Sequence, residues 1–219
     1  MNCSDFFPMW NQLTPMQQNR LEGSAIYRSA KKNTIIHNGL DDCTGLLLLN
    51  SGQLRAYILS VEGREVSIYR LFERDICLFS ASCMMQNIQF EITIEAEKDS
   101  SFWIIPADVY KGLMTESIPL ANYTNEIMAS RFSEVMWLME QIMWRSFDKR
   151  LAAFLLEESN IEGSCKLRLT HEKIGNHLGN AREVVTRMLS YFQSEGIVRL
   201  SRGNIEILKP DALQKLRDA

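Results

Sequence analysis

Short apolar runs separated by turn-forming residues fill the first half of the chain. Six runs recur at similar intervals, at 34–37, 45–50, 54–59, 66–71, 90–96 and 102–105. Asn50-Ser51-Gly52-Gln53 lies between two of them and has the composition of a hairpin connection, with Gly52 free to adopt a positive φ. This spacing is typical of an antiparallel barrel or sandwich. We therefore predict an α+β chain that begins with an antiparallel β-barrel (jelly-roll, cupin-like) sensor over residues 1–118.

The hydrophobic period changes after Pro106, and a long helix is predicted after Pro119. About 25 residues there contain neither Gly nor Pro, which is long for an ordinary globular helix. Met128, Val135 and Ile142 are seven residues apart and Leu138 follows three after Val135, which is the spacing of a coiled-coil seam, although Arg131 interrupts it. One alternative is a helix packed only on its own domain. We favour a dimerisation helix over residues 119–145, and hence a homodimer.

The last third of the chain has the pattern of two short helices and a hairpin. Thr170 is a good N-cap, Ile174 and Leu178 form a buried stripe, and Gly179 is placed to end the first helix. Core positions of a second helix follow after the turn Gly179-Asn180-Ala181, at Val184, Val185, Met188, Leu189 and Phe192. Apolar strands at 197–200 and 205–208 flank a polar turn. We predict a C-terminal winged helix-turn-helix over residues 146–219.

Polar side chains on the second helix have the chemistry that base edges require. Glu183, Thr186 and Arg187 have the spacing i, i+3 and i+4, so they share one helix face. Arginine can donate two hydrogen bonds to guanine, glutamate can accept from cytosine N4, and the threonine methyl can contact that of thymine. The alternative is a simple Glu183–Arg187 ion pair on a solvated helix, which stabilises by only about 0.2–0.5 kcal/mol.

Composition and charge narrow the class of protein. Hydrophobic residues make up 46% and charged residues 23%, which argues against a disordered chain. The net charge is −3, yet residues 146–219 carry 12 Lys and Arg against 10 Asp and Glu. The opening residues show no signal-peptide pattern and the longest apolar run is too short to span a bilayer, so we expect a cytoplasmic protein without a membrane partner. The five cysteines, at 3, 43, 77, 83 and 165, form no CxxC pair and indicate free thiols.

The segment LTHEKIGNHLGNAREVVTRML (169–189) resembles the helix-turn-helix signature of the CRP/FNR family of transcription regulators. The resemblance extends to the order of the parts and implies a dimer that binds a palindromic, TTGA-like site in double-stranded DNA and contacts RNA polymerase. Asn180 takes over helix capping here, because the family's serine is replaced by Ala181. The expected DNA-binding residues are Thr170, Lys173, Asn180, Arg182, Glu183, Thr186, Arg187 and Arg202.

The sensor lacks the family's cassette for a cyclic-nucleotide phosphate. No Arg or Lys occurs between Arg74 and Lys98, and the cassette arginine aligns near Phe90. A buried phosphate without a cation is poorly compensated, so we expect no cyclic-nucleotide binding. The apolar side chains of the same stretch either line an effector pocket or form core: Phe79, Cys83, Met84, Met85 and Phe90.

Other chemistry in the sensor has weaker support from the sequence. Cys77 and Cys83 are a possible redox pair, and His37 is a possible haem ligand or a structural histidine. A cupin-like metal enzyme needs two or three histidines with a carboxylate, and only His37 lies in the predicted barrel. We therefore expect no enzyme, no metal site and no fixed cofactor, but an unknown small-molecule or redox effector. An interaction module or small-molecule-binding protein without a DNA role is the alternative function.

Overall fold

The computed structural model describes residues 2–39, 44–84 and 91–218. It divides into two compact units, an N-terminal unit of Met1–Leu59 and Ile68–Met136 and a C-terminal unit of Ser60–Ser67 and Trp137–Ala219. Among the described residues, no helix combines the length and the apolar character that a membrane crossing requires.

Eight strands are described before Pro106, and all of them except the first three residues of the fifth strand belong to the N-terminal unit. They are β1 (Ile26–Ala30), β2 (Ile35–Asn38), β3 (Leu46–Ser51), β4 (Leu54–Leu59), β5 (Glu65–Leu71), β6 (Ile76–Cys77), β7 (Thr93–Ala96) and β8 (Ser100–Ile105). The strands form two antiparallel sheets of four, in the orders β1-β8-β3-β6 and β2-β7-β4-β5. The predicted α+β class with an N-terminal antiparallel sheet domain is confirmed, and within the described residues the two sheets do not close into one barrel. The apolar pattern reports which face of a strand is buried, and it does not report whether the edges of a sheet meet.

Strand β3 explains why the most apolar run of the chain does not alternate. Leu46 and Leu48 belong to a core cluster that also contains helical side chains, whereas Leu47 and Leu49 belong to a second cluster built from both sheets. All four leucines are fully buried because both faces of the strand are covered. The sequence pattern missed β1 for the opposite reason, since most of its residues are exposed.

Three helices accompany the sheets. They are α1 (Pro15–Ser24), α2 (Ala107–Glu116) and α3 (Ile118–Trp144). The start of α1 is capped by Thr14, whose Oγ1 accepts a hydrogen bond from the backbone N–H of Gln17 at 3.3 Å. Helix α3 has 27 residues and matches the predicted long helix.

The C-terminal unit is a set of four helices around a small sheet. Its elements are α4 (Phe147–Glu162), β9 (Lys166–Leu167), α5 (His171–Leu178), α6 (Arg182–Ser194), β10 (Val198–Ser201), β11 (Asn204–Ile207) and α7 (Pro210–Asp218). The sheet has the order β10-β11-β9, and the β10–β11 hairpin is the predicted wing. Helix α4 ends at Glu162 and is followed by the C-cap Gly163, whose φ is +59°.

Ser60–Ser67, which form the β4–β5 turn and the first three residues of β5, belong to the same unit. Val66 pairs with Leu178 at the end of α5, and the Ser67 hydroxyl lies 2.9 Å from Nδ1 of His177. His177 is buried and its ring also contacts Phe154 of α4. This histidine therefore has a structural environment.

Candidate DNA-binding site

Helix α5 begins and ends as its sequence predicts. Thr170 Oγ1 accepts a hydrogen bond from the backbone N–H of Lys173 at 3.1 Å, and Gly179 ends the helix with a φ of +66°. The turn into α6 is so tight that a Cβ on Gly175 would lie 2.5 Å from the carbonyl oxygen of Asn180. Glycine at this position therefore allows the two helices to approach each other.

Helix α6 begins one residue after the place that a capping Asn180 would require. Ala181 occupies the N-cap position and makes no side-chain cap, while the Asn180 amide donates instead to the carbonyl of Leu178 at 2.9 Å. The prediction that Asn180 caps α6 is wrong, because its side chain stabilises the preceding turn. Asn180 stays only a predicted DNA contact.

The two faces of α6 are chemically distinct. Val185, Leu189 and Phe192 are fully buried in the core of the unit. Four side chains on the opposite side are exposed: Arg182, Glu183, Thr186 and Arg187. Glu183 and Arg187 form no side-chain hydrogen bond or ion pair with any described residue, so the alternative of an i, i+4 ion pair is not realised. Their charged groups are therefore accessible to a ligand.

Thr186 differs from its neighbours because its hydroxyl is held on two sides. Its Oγ1 donates to the backbone carbonyl of Arg182 at 2.9 Å and lies 2.9 Å from Nδ1 of His171, the first residue of α5. Burial, with a further contribution from the charge of Arg182, lowers the pKa of His171 below its ordinary value. The sequence analysis assigned no role to His171, since only the packing of α5 on α6 brings it to Thr186.

Residues expected to bind phosphates lie at the edges of this unit. The Thr170 hydroxyl oxygen serves as the cap of α5, which leaves its hydrogen for a second partner. Arg202 lies at the exposed tip of the wing, where Gly203 has a φ of +72° and the Arg202 carbonyl accepts from the Asn204 amide. These roles remain predictions.

The predicted effector pocket in the sensor is only partly described. Phe79 is 6% exposed and packs in the core cluster, with its ring centroid 5.8 Å from that of Tyr69. Cys83 and Met84 belong to a short 3-10 helix whose backbone alone is described, and Met85 and Phe90 lie outside the described residues. Phe79 thus has a core environment, and the pocket stays a prediction.

Charged groups inside the N-terminal unit escaped the sequence analysis. Arg70 and Glu97 form a buried ion pair at 3.1 Å, and Arg55 Nη2 lies 3.4 Å from Glu95 Oε2. Buried charges of this kind persist only when they are paired. The partners of the two pairs are 27 and 40 residues apart in the sequence, so no local pattern could predict that they meet.

The Arg131 side chain packs against its own unit, so it does not belong to the predicted seam of α3. Its guanidinium carbon lies 4.6 Å from the centroid of the Tyr69 ring, and the group donates hydrogen bonds to both carboxylate oxygens of Glu134.

Cys77, one half of the possible redox pair, is a buried thiol. The Tyr69 hydroxyl lies 3.3 Å from Sγ of Cys77, and burial raises the pKa of this thiol. A thiol kept protonated is a poor redox nucleophile.

The remaining metal candidate has a polar protein partner. His37 is 1% exposed, and its Nδ1 lies 3.2 Å from Oγ1 of Thr44. Within residues 2–39, 44–84 and 91–218, no three His, Cys, Asp or Glu side chains cluster as metal ligands would.

The fold and the exposed face of α6 define a winged helix-turn-helix protein with a separate antiparallel β unit. Two family models match: a Crp-like helix-turn-helix domain over residues 149–216 and a cyclic nucleotide-binding domain over residues 27–117. A crystal structure from Eubacterium rectale, assigned to the Crp/Fnr family of transcriptional regulators, is 62% identical, with a TM-score of 0.96 and coverage of 98% of this chain and 100% of that one. The chain belongs to the Crp/Fnr family.

Two matches of lower sequence identity also extend over most of the chain. The regulatory protein HlyX of Actinobacillus pleuropneumoniae is 24% identical over 193 residues, which cover 85% of this chain and 79% of that protein. The structure of FixK2 from Bradyrhizobium japonicum, at 20% identity, has a TM-score of 0.69 and covers 89% of this chain and 98% of that one. At this identity the FixK2 comparison supports the fold alone.

Proposed function

We propose that this protein is a dimeric transcription regulator that reads a specific DNA sequence with α6. The observation that carries the proposal is the exposed face of that helix, where Glu183 and Arg187 have no hydrogen-bond or ion-pair partner among the described residues. Two charged side chains of opposite sign, on a helix whose other face is fixed in the core, are suited to the donors and acceptors of the major groove. We infer no catalytic role.

The exposed face of α6, here called the reading face, consists of Arg182, Glu183, Thr186 and Arg187. Three of these side chains are each given one role. Arg187 donates two hydrogen bonds to a guanine, Glu183 accepts from a cytosine N4, and Thr186 places its methyl against that of a thymine. Arg182 contacts either a base or a phosphate. The family's TTGA-like half-site provides the matching bases.

Backbone contacts supply affinity without sequence information. Thr170 and Lys173 at the start of α5 and Arg202 on the wing are the proposed phosphate contacts, with Asn180 in the turn between the helices. Because these groups neutralise or bond phosphates, salt weakens their contribution.

Selection of bound duplexes from a random pool tests the proposal as a whole. We expect an imperfect palindrome with TTGA-like half-sites whose centres are about one helical turn, ~34 Å, apart. Recovery of duplexes without any shared sequence would overturn the proposal in favour of an interaction module or of nonspecific binding.

A second copy of the chain is the proposed partner of α3. Four exposed apolar side chains follow one another at intervals of four, three and four residues, as in a coiled-coil seam: Phe132, Met136, Met139 and Met143. Phe132 and Met143 expose 66% and 64% of their surface. Of the seam expected from sequence, Met128, Val135 and Leu138 are half-buried within the protomer, and Ile142 is 45% exposed. We therefore place the dimer interface on the Phe132–Met143 stripe, one helix position away from the expected seam.

Other partners follow from the same proposal. A regulator of this family acts at promoters, so we infer contact with RNA polymerase, a cytoplasmic location and control by an effector. The effector is a small molecule or a redox change that acts through the N-terminal unit.

Cyclic nucleotides are not expected to be that effector. Isothermal titration of the purified dimer with cyclic AMP and cyclic GMP should show no binding at micromolar concentrations, because no Arg or Lys lies between Arg74 and Lys98 to hold a phosphate. The variant Phe90→Arg should not restore binding, since the sequence from Asp75 to Glu91 also contains none of the cassette's glycines. Micromolar affinity of the wild type for either nucleotide would contradict the prediction.

A further inference from the structure

His171 joins the first helix of the helix-turn-helix to a side chain on the reading face of the second. Its Nδ1 lies 2.9 Å from Oγ1 of Thr186, fifteen residues further along the chain. The Thr186 hydroxyl also donates to the carbonyl of Arg182 at 2.9 Å. A hydroxyl has one hydrogen to donate. Since the carbonyl receives it, His171 Nδ1 must carry a proton and donate to Thr186 Oγ1.

This pair of hydrogen bonds restricts how Thr186 presents itself to a ligand. In a helix, threonine divides between two rotamers because its oxygen can reach a carbonyl one turn earlier. The bond from His171 adds a second anchor for the oxygen and selects one of them. With its hydrogen donated and a lone pair occupied, the hydroxyl is poorly placed to bond a base. Thr186 is exposed, and its methyl group Cγ2 is the part of the side chain left for contact.

We propose that His171 is a positioning residue for base recognition, which holds Thr186 so that its methyl group reads thymine at one position of each half-site. The inference rests on the proposed function and adds to it a residue that need not touch a base. The lowered pKa of His171 is consistent with a positioning role. A neutral imidazole can keep the required N–H, and it offers no positive charge to a phosphate.

Four single variants separate the parts of this arrangement. Thr186→Ser keeps the hydroxyl and removes the methyl, whereas Thr186→Val keeps the branched shape and removes the hydroxyl. His171→Ala removes the donor, and His171→Asn keeps an N–H near the position of Nδ1. Glu172→Ala, at an exposed neighbour in the same turn, is the matched control.

The measurement is competition binding of the dimer to duplexes that differ from the selected site at single base pairs. Thr186→Ser and His171→Ala should lower the preference for thymine at the same position by about three- to fivefold per half-site, the value of one buried methyl group. His171→Asn, Thr186→Val and Glu172→Ala should keep most of it. His171→Ala added to Thr186→Val should have no further effect, because no hydroxyl remains to be held.

Three results would overturn the inference while leaving the proposed function intact. One is an equal loss of affinity for all duplexes in His171→Ala, which indicates a phosphate contact. Another is an undiminished effect of His171→Ala in the Thr186→Val background. The third is an unchanged base preference in His171→Ala, with melting temperatures confirming that the variants fold. Failure of the wild type to prefer any sequence would instead reject the proposed function.

Discussion

Replacing Arg187 by alanine is expected to lower affinity for the selected DNA site by about 1–3 kcal/mol per half-site, or roughly 5- to 150-fold. The physical reason is the loss of two hydrogen bonds to a guanine that no neighbouring side chain can replace. The preference for that base pair should disappear, while discrimination at the other positions persists. Fluorescence anisotropy with the selected duplex and its single-base variants measures both quantities.

Two arginines of the same unit are the controls for this variant. Arg199 is ion-paired with Glu206 on the wing, so Arg199→Ala should leave base preference unchanged. Arg202→Ala should weaken binding to all duplexes alike and reduce the slope of log K against log salt by about 0.9 per protomer. Base preference that survives in Arg187→Ala would show that α6 is not the reading helix.

A charged seam on α3 is expected to separate the protomers. The double variant Phe132→Glu, Met139→Glu places carboxylates in the proposed apolar interface, where burial without a partner is unfavourable. Light scattering should give about half the wild-type mass. DNA affinity should fall by about 10²–10⁴-fold, because each half-site must then be bound by an untethered protomer.

The double variant Ser130→Glu, Ser133→Glu is the control for added charge. Both serines are exposed on α3 and lie off the Phe132–Met143 stripe. This variant should remain dimeric and bind DNA. A monomeric wild type at micromolar concentration, or a dimeric Phe132→Glu, Met139→Glu variant, would reject the proposed interface.

The proposed dimer interface on α3 shows what an apolar repeat in the sequence can predict and what it cannot. The apolar spacing in residues 119–145 correctly predicted a long helix, because helical period and the absence of Gly and Pro are local properties. It does not by itself report which stripe is exposed, because several apolar series run along this helix. Val135 is partly covered by its own protomer, and Arg131 is drawn to Tyr69. Only the packed unit decides which face is left for a partner.

In the N-terminal unit too, the local pattern was predictable from the sequence and the long-range pairing was not. Runs such as Leu54–Leu59 were located correctly because hydrophobic patterns mark the buried parts of strands. The pairing into two sheets was not predictable, since the paired residues of β1 and β8 are 70 to 78 positions apart in the sequence. The Arg70–Glu97 pair depends on that pairing, because each charge is stable inside only in the presence of the other.

For the DNA-binding unit, the sequence by itself determined the two helices, their turn, the wing and the face formed by Glu183, Thr186 and Arg187. Caps, glycines in the left-handed region and an apolar period act over a few residues, so they can be recognised without the fold. The tertiary structure decided what the side chains do on that face. Within the described part of the chain it gave Glu183 and Arg187 no side-chain partner, and it brought His171 to Thr186. Two packed helices place side chains together that are far apart along the chain.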